Sequence, residues 1–297
     1  MKASDYIVSF LSERGVKVVF GYIGGMITHL VDSLAQSEDV RYIQTYHEQT
    51  AAIAAEGYAL ESGIFGVAIC TSGPGATNLM TGIADAYFGS IPVLYISGQV
   101  NTHEYKYNKP IRQQGFQETD IVSIVKPITK YAVMIDDADN LRYELEKAVH
   151  IATSGRKGPV VIDLPMDISR AEIDPFELKS YVPEIEKIDS YNLADVVSLI
   201  NSASRPMLLV GGGCQSEKSK ELLTSFIKQT QIPVVTSLMG KGAVDETYLN
   251  HMGMIGSYGN RCANMAIAES DILLALGTRL DTRQTGAMVE EFLPKGK

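Results

Sequence analysis

The stretch "VRYIQTYHEQTAAIAAEGYALESGIFGVAICTSGPGATN", residues 40–78, decides the fold class. Its apolar runs at 40–46 and 65–71 have the length of buried strands, and the Ala-rich segment at about 48–62 has the length of a helix. A strand, a helix and a second apolar strand in this order predict a parallel sheet covered by helices on both faces. Glu48 begins the helix, so it is either a carboxylate placed for the helix dipole or a group that exchanges a proton.

The same alternation continues on both sides of this stretch. We predict further strands at 16–23, 91–98 and 158–165 and helices at 26–36, 75–88 and about 139–154, with a long irregular stretch at 99–128. These elements form a first domain, 1–172. The segment 173–190 has prolines, many charges and weak periodicity, which predict a linker.

A second alternation follows in residues 191–297. Strands are predicted at 206–213, 232–237 and 271–277, and helices at 216–229 and about 259–269. The chain stops where a further strand is expected, so we expect a truncated, Rossmann-like central domain. The predicted fold class is α/β, with two doubly wound parallel-sheet domains.

Composition narrows the classes of function. The 297 residues suit two domains, and the net charge of -9 argues against a general nucleic-acid binder. No apolar run reaches membrane-spanning length, and polar residues interrupt any signal-peptide core, so we expect a cytoplasmic protein with no membrane partner. Cys70, Cys214 and Cys262 are far apart in sequence, and neither they nor the histidines have metal-site spacing.

Three glycine-rich segments follow predicted strands: "TSGPGATN" (71–78), "VGGGC" (210–214) and "LGTRLDTRQTG" (276–286). Glycines allow a ligand to approach the backbone, and free N–H groups at a helix start bind anions. None of the three has the spacing of a P-loop or of the G-x-G-x-x-G fingerprint. Each, taken alone, is also compatible with an ordinary turn or a solvated loop.

Together with further segments, these motifs resemble the acetolactate synthase group of thiamine-diphosphate-dependent enzymes. The matching text also includes "VFGYIGG" (19–25), "YHEQTAA" (46–52), "GFQETDIV" (115–122), "GPVVIDLPMDI" (158–168), "TSLMGKGA" (236–243) and "MGMIGSYG" (252–259), in family order. The resemblance implies a pyrimidine-binding domain followed by most of a central domain. It also implies decarboxylation and carboligation of small 2-oxo acids in branched-chain amino acid biosynthesis, by a homodimer or tetramer.

The resemblance also implies roles for particular residues. Glu48 matches the glutamate that contacts N1′ of the cofactor's aminopyrimidine, where a shared proton promotes the imino tautomer that deprotonates the thiazolium C2. A buried carboxyl group holds a proton more readily than an exposed one, which suits this exchange. Gly24 and Gly25 match the loop near the reacting carbon, and Gln117 matches an active-site glutamine. Pro74, Gly75 and Asn78 lie on the loop that lines the pyrimidine pocket.

In the synthases a structural FAD is bordered by positions that match Phe116, Arg156, Gly211, Gly212, Gly213, Thr236, Leu238, Met239, Gly277, Arg279, Asp281 and Arg283. FAD is therefore a further cofactor that the resemblance implies. The diphosphate and Mg²⁺ are held by a domain whose "GDG" and paired asparagines do not occur in this sequence, so no metal ligands are predicted here and we expect this chain to be inactive by itself.

This sequence departs from the synthases around the substrate and flavin sites. Ile23 stands where they usually have proline, Met26 where they have alanine, Met166 where they have lysine and Tyr258 where they have histidine, and the segment 101–114 does not follow their text. Two rivals stay open. One is another thiamine enzyme on this scaffold, such as a flavin oxidase, an acyl-CoA lyase or a specialised carboligase. The other is a non-catalytic FAD- or nucleotide-binding module. The sequence does not determine whether a regulatory subunit exists.

Overall fold

The computed structural model describes residues 1–184 and 192–296. The chain divides into two compact units, Met1–Glu186 and Lys187–Lys297. The first unit extends beyond the boundary at 172 that the sequence predicts, because Ile173 and Leu178 are buried in its core. The remainder of the predicted linker, 185–190, lies outside the described residues.

The first unit alternates strands and helices. Its strands are β1 Val18–Gly21, β2 Arg41–Gln44, β3 Gly66–Cys70, β4 Val93–Gln99, β5 Tyr131–Met134 and β6 Val160–Pro165. Its helices are α1 Ala3–Glu13, α2 Thr28–Gln36, α3 Glu48–Ser62, α4 Pro74–Asn78, α5 Met80–Gly89, α6 Ile121–Val125, α7 Leu141–Thr153 and α8 Met166–Ser169.

The described strands of this unit form a six-stranded sheet in the order β2-β1-β3-β4-β6-β5. Every pair in it is parallel, as the apolar character of its strands predicts. Successive residues of a strand face opposite sides, so Val67 and Ile69 of β3 join one apolar cluster and Ala68 and Cys70 join the other. Helices α1, α2 and α7 cover the first face, and α3, α5 and α6 cover the second.

The predicted elements of the first unit differ from the structure in several places. The helix predicted at 75–88 is two helices, α4 and α5, that meet at Leu79. The strand β5 was not predicted, because it has only four residues and each of them is half-buried. The helix α6 lies inside the stretch 99–128 that was predicted to be irregular.

The second unit contains the strands β7 Pro206–Val210, β8 Val234–Thr236, β9 His251–Met254 and β10 Ile272–Leu276. Its helices are α9 Leu193–Ser202, α10 Glu217–Thr230, α11 Arg261–Glu269 and α12 Thr282–Thr285. The described strands form a four-stranded parallel sheet in the order β10-β7-β8-β9. The sequence did not predict α9 or β9. None of the described helices is long and apolar enough to cross a membrane.

Candidate active site

The loops that carry the predicted catalytic residues leave the first sheet at its carboxyl edge, where ligands bind in open parallel sheets. Gly24 and Gly25 follow β1, Glu48 follows β2, the segment 71–78 follows β3 and Gln117 follows β4. Strands β2 and β3 lie on opposite sides of β1, so the winding of the chain reverses between β1 and β3. The structure therefore gathers these residues around a topological switch point.

Glu48 is the first residue of α3 and is 6% exposed. Its Oε2 accepts a hydrogen bond from Nδ2 of Asn78 at 2.9 Å. The side chain that caps the helix is that of His47, whose Nδ1 accepts from the backbone N–H of Gln49 at 3.1 Å. The Glu48 carboxylate is thus directed toward the loop after β3 and is not used as the helix cap.

Gly75 leaves space beside the other carboxylate oxygen. A Cβ placed on Gly75 would lie 3.2 Å from Oε1 of Glu48 and 2.9 Å from Cγ2 of Thr71. Gly75 is the second residue of α4, which begins with Pro74. A larger side chain at position 75 would enter the space next to the carboxylate.

The turn after β1 packs against the same loop. The backbone N–H of Met26 donates to Oγ1 of Thr71 at 3.2 Å. A Cβ on Gly24 would lie 2.4 Å from Cβ of Thr71, so a side chain at position 24 cannot be accommodated without movement. By contrast, no described atom lies within 4 Å of a Cβ built on Gly25. Gly24 therefore serves close packing, whereas Gly25 faces open space.

Gln117 packs against Gly73 in the loop after β3, and Gly73 has a φ of +62°. A Cβ on Gly73 would lie 2.9 Å from both Cβ and the carbonyl oxygen of Gln117. The neighbouring Phe116 is 76% exposed. The turn that carries Gln117 is therefore packed directly on the loop that carries Pro74 and Gly75.

Arg156 is not part of this cluster. Its Nε donates to Oγ of Ser90 at 2.8 Å. Both residues precede strands, Ser90 before β4 and Arg156 before β6, so they lie at the amino edge of the parallel sheet. The structure separates Arg156 from Glu48 by the length of the strands.

Two buried groups near the site have shifted pKa values. Burial raises the pKa of the Asp163 carboxyl group to about 7, although hydrogen bonds from Gln99 and Ser97 act in the opposite direction. Burial also raises the pKa of the Cys70 thiol well above its usual value, with smaller contributions from the charges of Glu48 and Asp163. Cys70 is therefore an inert thiol that packs beneath the site.

The second unit also gathers its predicted residues at the carboxyl edge of its sheet, between β7 and β10. The N–H of Gly213 donates to the carbonyl oxygen of Gly277 at 2.9 Å, and Gly277 has a φ of +59°. A Cβ on Gly211 would lie 2.3 Å from that oxygen, and one on Gly212 would lie 3.0 Å from Cβ of Met239. These close contacts within the second unit explain why the three positions are glycine.

The remaining residues of this edge are mostly exposed. Leu238 and Met239 are 64% and 49% exposed, whereas Thr236 at the end of β8 is buried. Asp281 caps α12 by accepting from the N–H of Arg283, and its carboxylate lies 3.3 Å from Nη2 of Arg279.

The Arg283 guanidinium lies 5.8 Å from the ring centroid of Tyr258, a residue that is itself 75% exposed. Among the described residues, no group of three or more His, Cys, Asp and Glu side chains could hold a metal ion.

Sequence reasoning missed four residues that shape the first site: Thr71, Gln99, Glu118 and Asp163. Three of them are polar residues that are almost fully buried, at 1% exposure for Gln99 and Asp163 and 6% for Glu118. Gln99 and Asp163 lie inside otherwise apolar strands. A polar side chain within a strand that is buried on both faces is the signal that could have identified them.

Comparison with known proteins identifies the family. Residues 1–124 match the model described as "Thiamine pyrophosphate enzyme, N-terminal TPP binding domain", and residues 193–297 match the central domain of the same enzymes. The chain belongs to the thiamine pyrophosphate enzyme family. The rival interpretation as a non-catalytic FAD- or nucleotide-binding module is therefore not favoured.

Relatives in this family carry one consistent name. The acetolactate synthase large subunit of Lactococcus lactis is 39% identical over 284 residues, which cover 94% of this chain and 48% of that protein. The probable acetolactate synthase large subunit of Methanocaldococcus jannaschii is 40% identical over 305 residues, covering all of this chain and 50% of that protein. The chloroplastic acetolactate synthase of Arabidopsis thaliana is 39% identical, covering 44% of its length. The chain spans about half the length of the relatives it matches.

The geometry of the first site fits the pyrimidine half of thiamine diphosphate. A nearly buried carboxylate has one oxygen held by Asn78, and Gly75 keeps space open beside the other. A ring nitrogen that shares a proton requires this kind of acceptor. The residues that would hold the aminopyrimidine are Glu48, Gly75 and Asn78, and the group's own chemistry is the stabilisation of the carbanion formed from a 2-oxo acid.

Proposed function

We propose that this chain takes part in thiamine-diphosphate-dependent decarboxylation and carboligation of 2-oxo acids, in the manner of the acetolactate synthases. The observation that carries the proposal is the Glu48 carboxylate, buried at the switch point of a parallel sheet and held by Asn78. Relatives named acetolactate synthase that match the chain along its length support the same activity.

In this proposal Glu48 holds and releases a proton at N1′ of the aminopyrimidine. Asn78 fixes the carboxylate by donating to Oε2, so that Oε1 presents its lone pair to the ring. The low exposure of Glu48 limits the competition of water for that lone pair. Glu48 is therefore the general acid–base residue, and Pro74 and Gly75 shape the surface on which the ring lies.

We further propose that Gly25 and Gln117 face the substrate. Gly25 lies at the same edge as Glu48 and has open space around its Cα, which leaves room for a small 2-oxo acid. Gln117 is half-exposed and provides an amide that can both donate to and accept from carbonyl or carboxylate oxygens. Gly24 supports this arrangement by packing against Thr71.

The second unit provides the proposed FAD edge. Exposed apolar side chains surround the carboxyl end of its sheet, with Leu238, Met239 and Leu280 all more than 40% exposed. Flat aromatic ring systems bind to such surfaces. Arg279, Asp281 and Arg283 provide polar groups at the same edge. Phe116 and Arg156, which the resemblance also assigns to the flavin, belong to the first unit.

Self-association, Mg²⁺ and location complete the proposal. Exposed apolar side chains occur on α3 at Ile53 and Leu60 and on α5 at Tyr87 and Phe88. Helices α3 and α5 contact each other, and we propose that these residues belong to one surface, here called the α3–α5 surface. We propose that a second copy of the chain covers it in a homodimer or tetramer.

Mg²⁺ would bind with the diphosphate through residues other than those described here, and the protein would act in the cytoplasm.

Glu48→Gln tests the proposed function. Glutamine keeps the shape of the side chain and its contact with Asn78 but cannot share a proton. We expect turnover of 2-oxo acids to fall more than about 100-fold. Glu61→Gln is the matched control, because Glu61 is an exposed carboxylate on the same helix.

A second readout does not depend on turnover. Bound thiamine diphosphate should show the ultraviolet signature of the imino tautomer with wild-type protein and with Glu61→Gln, and not with Glu48→Gln. Turnover within a few-fold of wild type in Glu48→Gln would remove Glu48 from the mechanism. Failure of the wild-type protein to bind thiamine diphosphate when the diphosphate-binding domain is present would overturn the proposed function itself.

A further inference from the structure

Gln117 has an unusual backbone conformation. Its φ is +59°, in the left-handed region that non-glycine residues rarely adopt. Such a conformation costs on the order of 1–3 kcal/mol and persists where the surrounding structure holds it. The contacts that hold the neighbouring residues therefore decide where the Gln117 side chain lies.

The first of these contacts comes from Glu118, which is 6% exposed. Its Oε1 accepts from the backbone N–H of Lys106 at 2.9 Å. Its Oε2 accepts from the backbone N–H of Gln114 at 2.6 Å and of Gly115 at 3.0 Å. Hydrogen bonds to a charged acceptor are about twice as strong as neutral ones. Because the donors lie at both ends of the segment 106–115, the Glu118 carboxylate closes that segment into a loop.

The second contact comes from Gln99 on β4. Its Nε2 donates to the carbonyl oxygen of Thr119 at 2.8 Å and to Oδ2 of Asp163 at 2.8 Å. Its Oε1 accepts from the N–H of Val100 at 3.0 Å. Asp163 on β6 in turn accepts from Oγ of Ser97 at 2.7 Å. The residue that follows Glu118 is thus fixed to the core of the sheet.

We propose that Glu118 is a positioning residue for Gln117, which it holds toward the site by closing the segment 106–115. The proposal rests on the proposed function, because Gln117 acts on substrate only if the Glu48 site binds the cofactor. It also connects the segment 101–114, where this sequence departs from the synthases, to the substrate site. Changes in that segment reach Gln117 through the N–H groups that bind Glu118.

Glu118→Gln tests the proposal. Glutamine has nearly the same volume, but its amide replaces one acceptor oxygen with a donor that faces backbone N–H groups. We expect kcat for a 2-oxo acid to fall about 10-fold or more, while the affinity for thiamine diphosphate stays within twofold. In a Gln117→Ala background, the same substitution should change kcat less than twofold, because residues that act as a unit are not additive.

The control variant is Glu104→Gln. Glu104 accepts from the N–H and Nδ2 of Asn101 in the same segment and does not adjoin Gln117. We expect its kcat to stay within twofold of wild type. Glu118→Asp keeps the charge but is one methylene shorter, so it should give an intermediate kcat and serves if the glutamine variant does not fold.

Amide hydrogen exchange provides a readout that does not require turnover. The amides of Lys106, Gln114 and Gly115 should exchange faster in Glu118→Gln than in wild type, whereas amides of β4 should not. Equal loss of kcat in the wild-type and Gln117→Ala backgrounds, or unchanged protection of the three amides, would overturn the positioning role. If wild-type protein supplied with the diphosphate-binding domain neither binds thiamine diphosphate nor turns over 2-oxo acids, the proposed function fails, and the exchange measurement still decides whether Glu118 holds the segment.

Discussion

Nδ2 of Asn78 donates to Oε2 of Glu48 across 2.9 Å, although the two residues are 30 positions apart in sequence. Glu48 begins α3 and Asn78 ends α4, and both helices leave the carboxyl edge of the same sheet. The contact fixes one carboxylate oxygen and leaves the other beside Gly75. Holding a buried carboxylate in one orientation prepares it to exchange a proton with a ring nitrogen.

Asn78→Ala should leave the Glu48 carboxylate less firmly oriented. A hydrogen bond to a charged group contributes about 1.5–3 kcal/mol, so we expect turnover to fall about 10- to 100-fold. Asn78→Asp should be more harmful, because two carboxyl groups in contact cannot both ionise. Thr77→Ala is the control, since Thr77 is exposed and its Oγ1 donates locally to the carbonyl oxygen of Pro74. Equal turnover in Asn78→Ala and Thr77→Ala would contradict the expected role of Asn78.

The two glycines after β1 should respond differently to alanine. A Cβ at Gly24 meets Cβ of Thr71 at 2.4 Å, whereas no described atom lies within 4 Å of one at Gly25. The φ of Gly24 is -171°, which alanine adopts without strain, so the cost is steric. We expect Gly24→Ala to lower the free energy of unfolding by about 1–3 kcal/mol and Gly25→Ala to change it by less than about 0.5 kcal/mol. Urea titration measures both, and the reverse order would show that the turn is placed differently.

Glu56 should make stability depend on pH. It is 4% exposed, and burial, followed by the charge of Asp85, raises its pKa from 4.5 to about 8. In this range the folded state binds a proton that the unfolded state does not, so stability falls as pH rises from about 4.5 to about 8. Asp163, whose pKa burial raises from 3.8 to about 7, contributes in the same direction.

Glu56→Gln should therefore reduce this pH dependence without removing it. We expect the free energy of unfolding of the variant to equal that of wild type near pH 5 and to exceed it by about 1–2 kcal/mol near pH 9. Glu61→Gln should keep the wild-type slope, because Glu61 is exposed on the same helix. Unfolding by urea at a series of pH values gives the slopes. Identical slopes in all three proteins would mean that Glu56 is ionised in the folded state.

Leu60→Asp should separate the proposed homodimer. Leu60 is 62% exposed on the α3–α5 surface, and Leu222, on α10 of the second unit, is 64% exposed. An aspartate buried between two copies would carry an unpaired charge, which costs several kcal/mol. Light scattering should give a lower mass for Leu60→Asp and an unchanged mass for Leu222→Asp. A wild-type monomer at high concentration would exclude the α3–α5 surface as a self-association site.

FAD should bind weakly. The glycines at 211 and 212 are packed against Gly277 and Met239, and the Arg283 guanidinium lies near the ring of Tyr258, where the synthases have histidine. We expect purified protein to carry flavin at well below one molecule per chain. The expected Kd is micromolar or weaker, which corresponds to a binding free energy no more favourable than about -8 kcal/mol. Flavin absorbance of the purified protein and a titration with FAD measure this. A stoichiometric flavin after purification would contradict the prediction.

The sequence by itself determined the alternation of elements and the position of the acid. The helix predicted at about 48–62 is α3, Glu48–Ser62, because its Ala-rich segment lies between two apolar runs and ends at Gly63, which has a φ of +75°. The same periodicity gave the parallel α/β class. These features depend on local patterns, in which each residue's neighbours along the chain decide its structure.

Only the tertiary structure decided which loops meet. Strands β5 and β9 are short and only half-buried, and they form because β6 and β8 lie beside them. The hydrogen bonds of Asn78 and Asp163 are made with partners far away in sequence. Hydrogen bonds and close packing between distant segments depend on strand order, which a single sequence does not encode locally. For the same reason the packing of Gly211 against Gly277 is seen only in the structure.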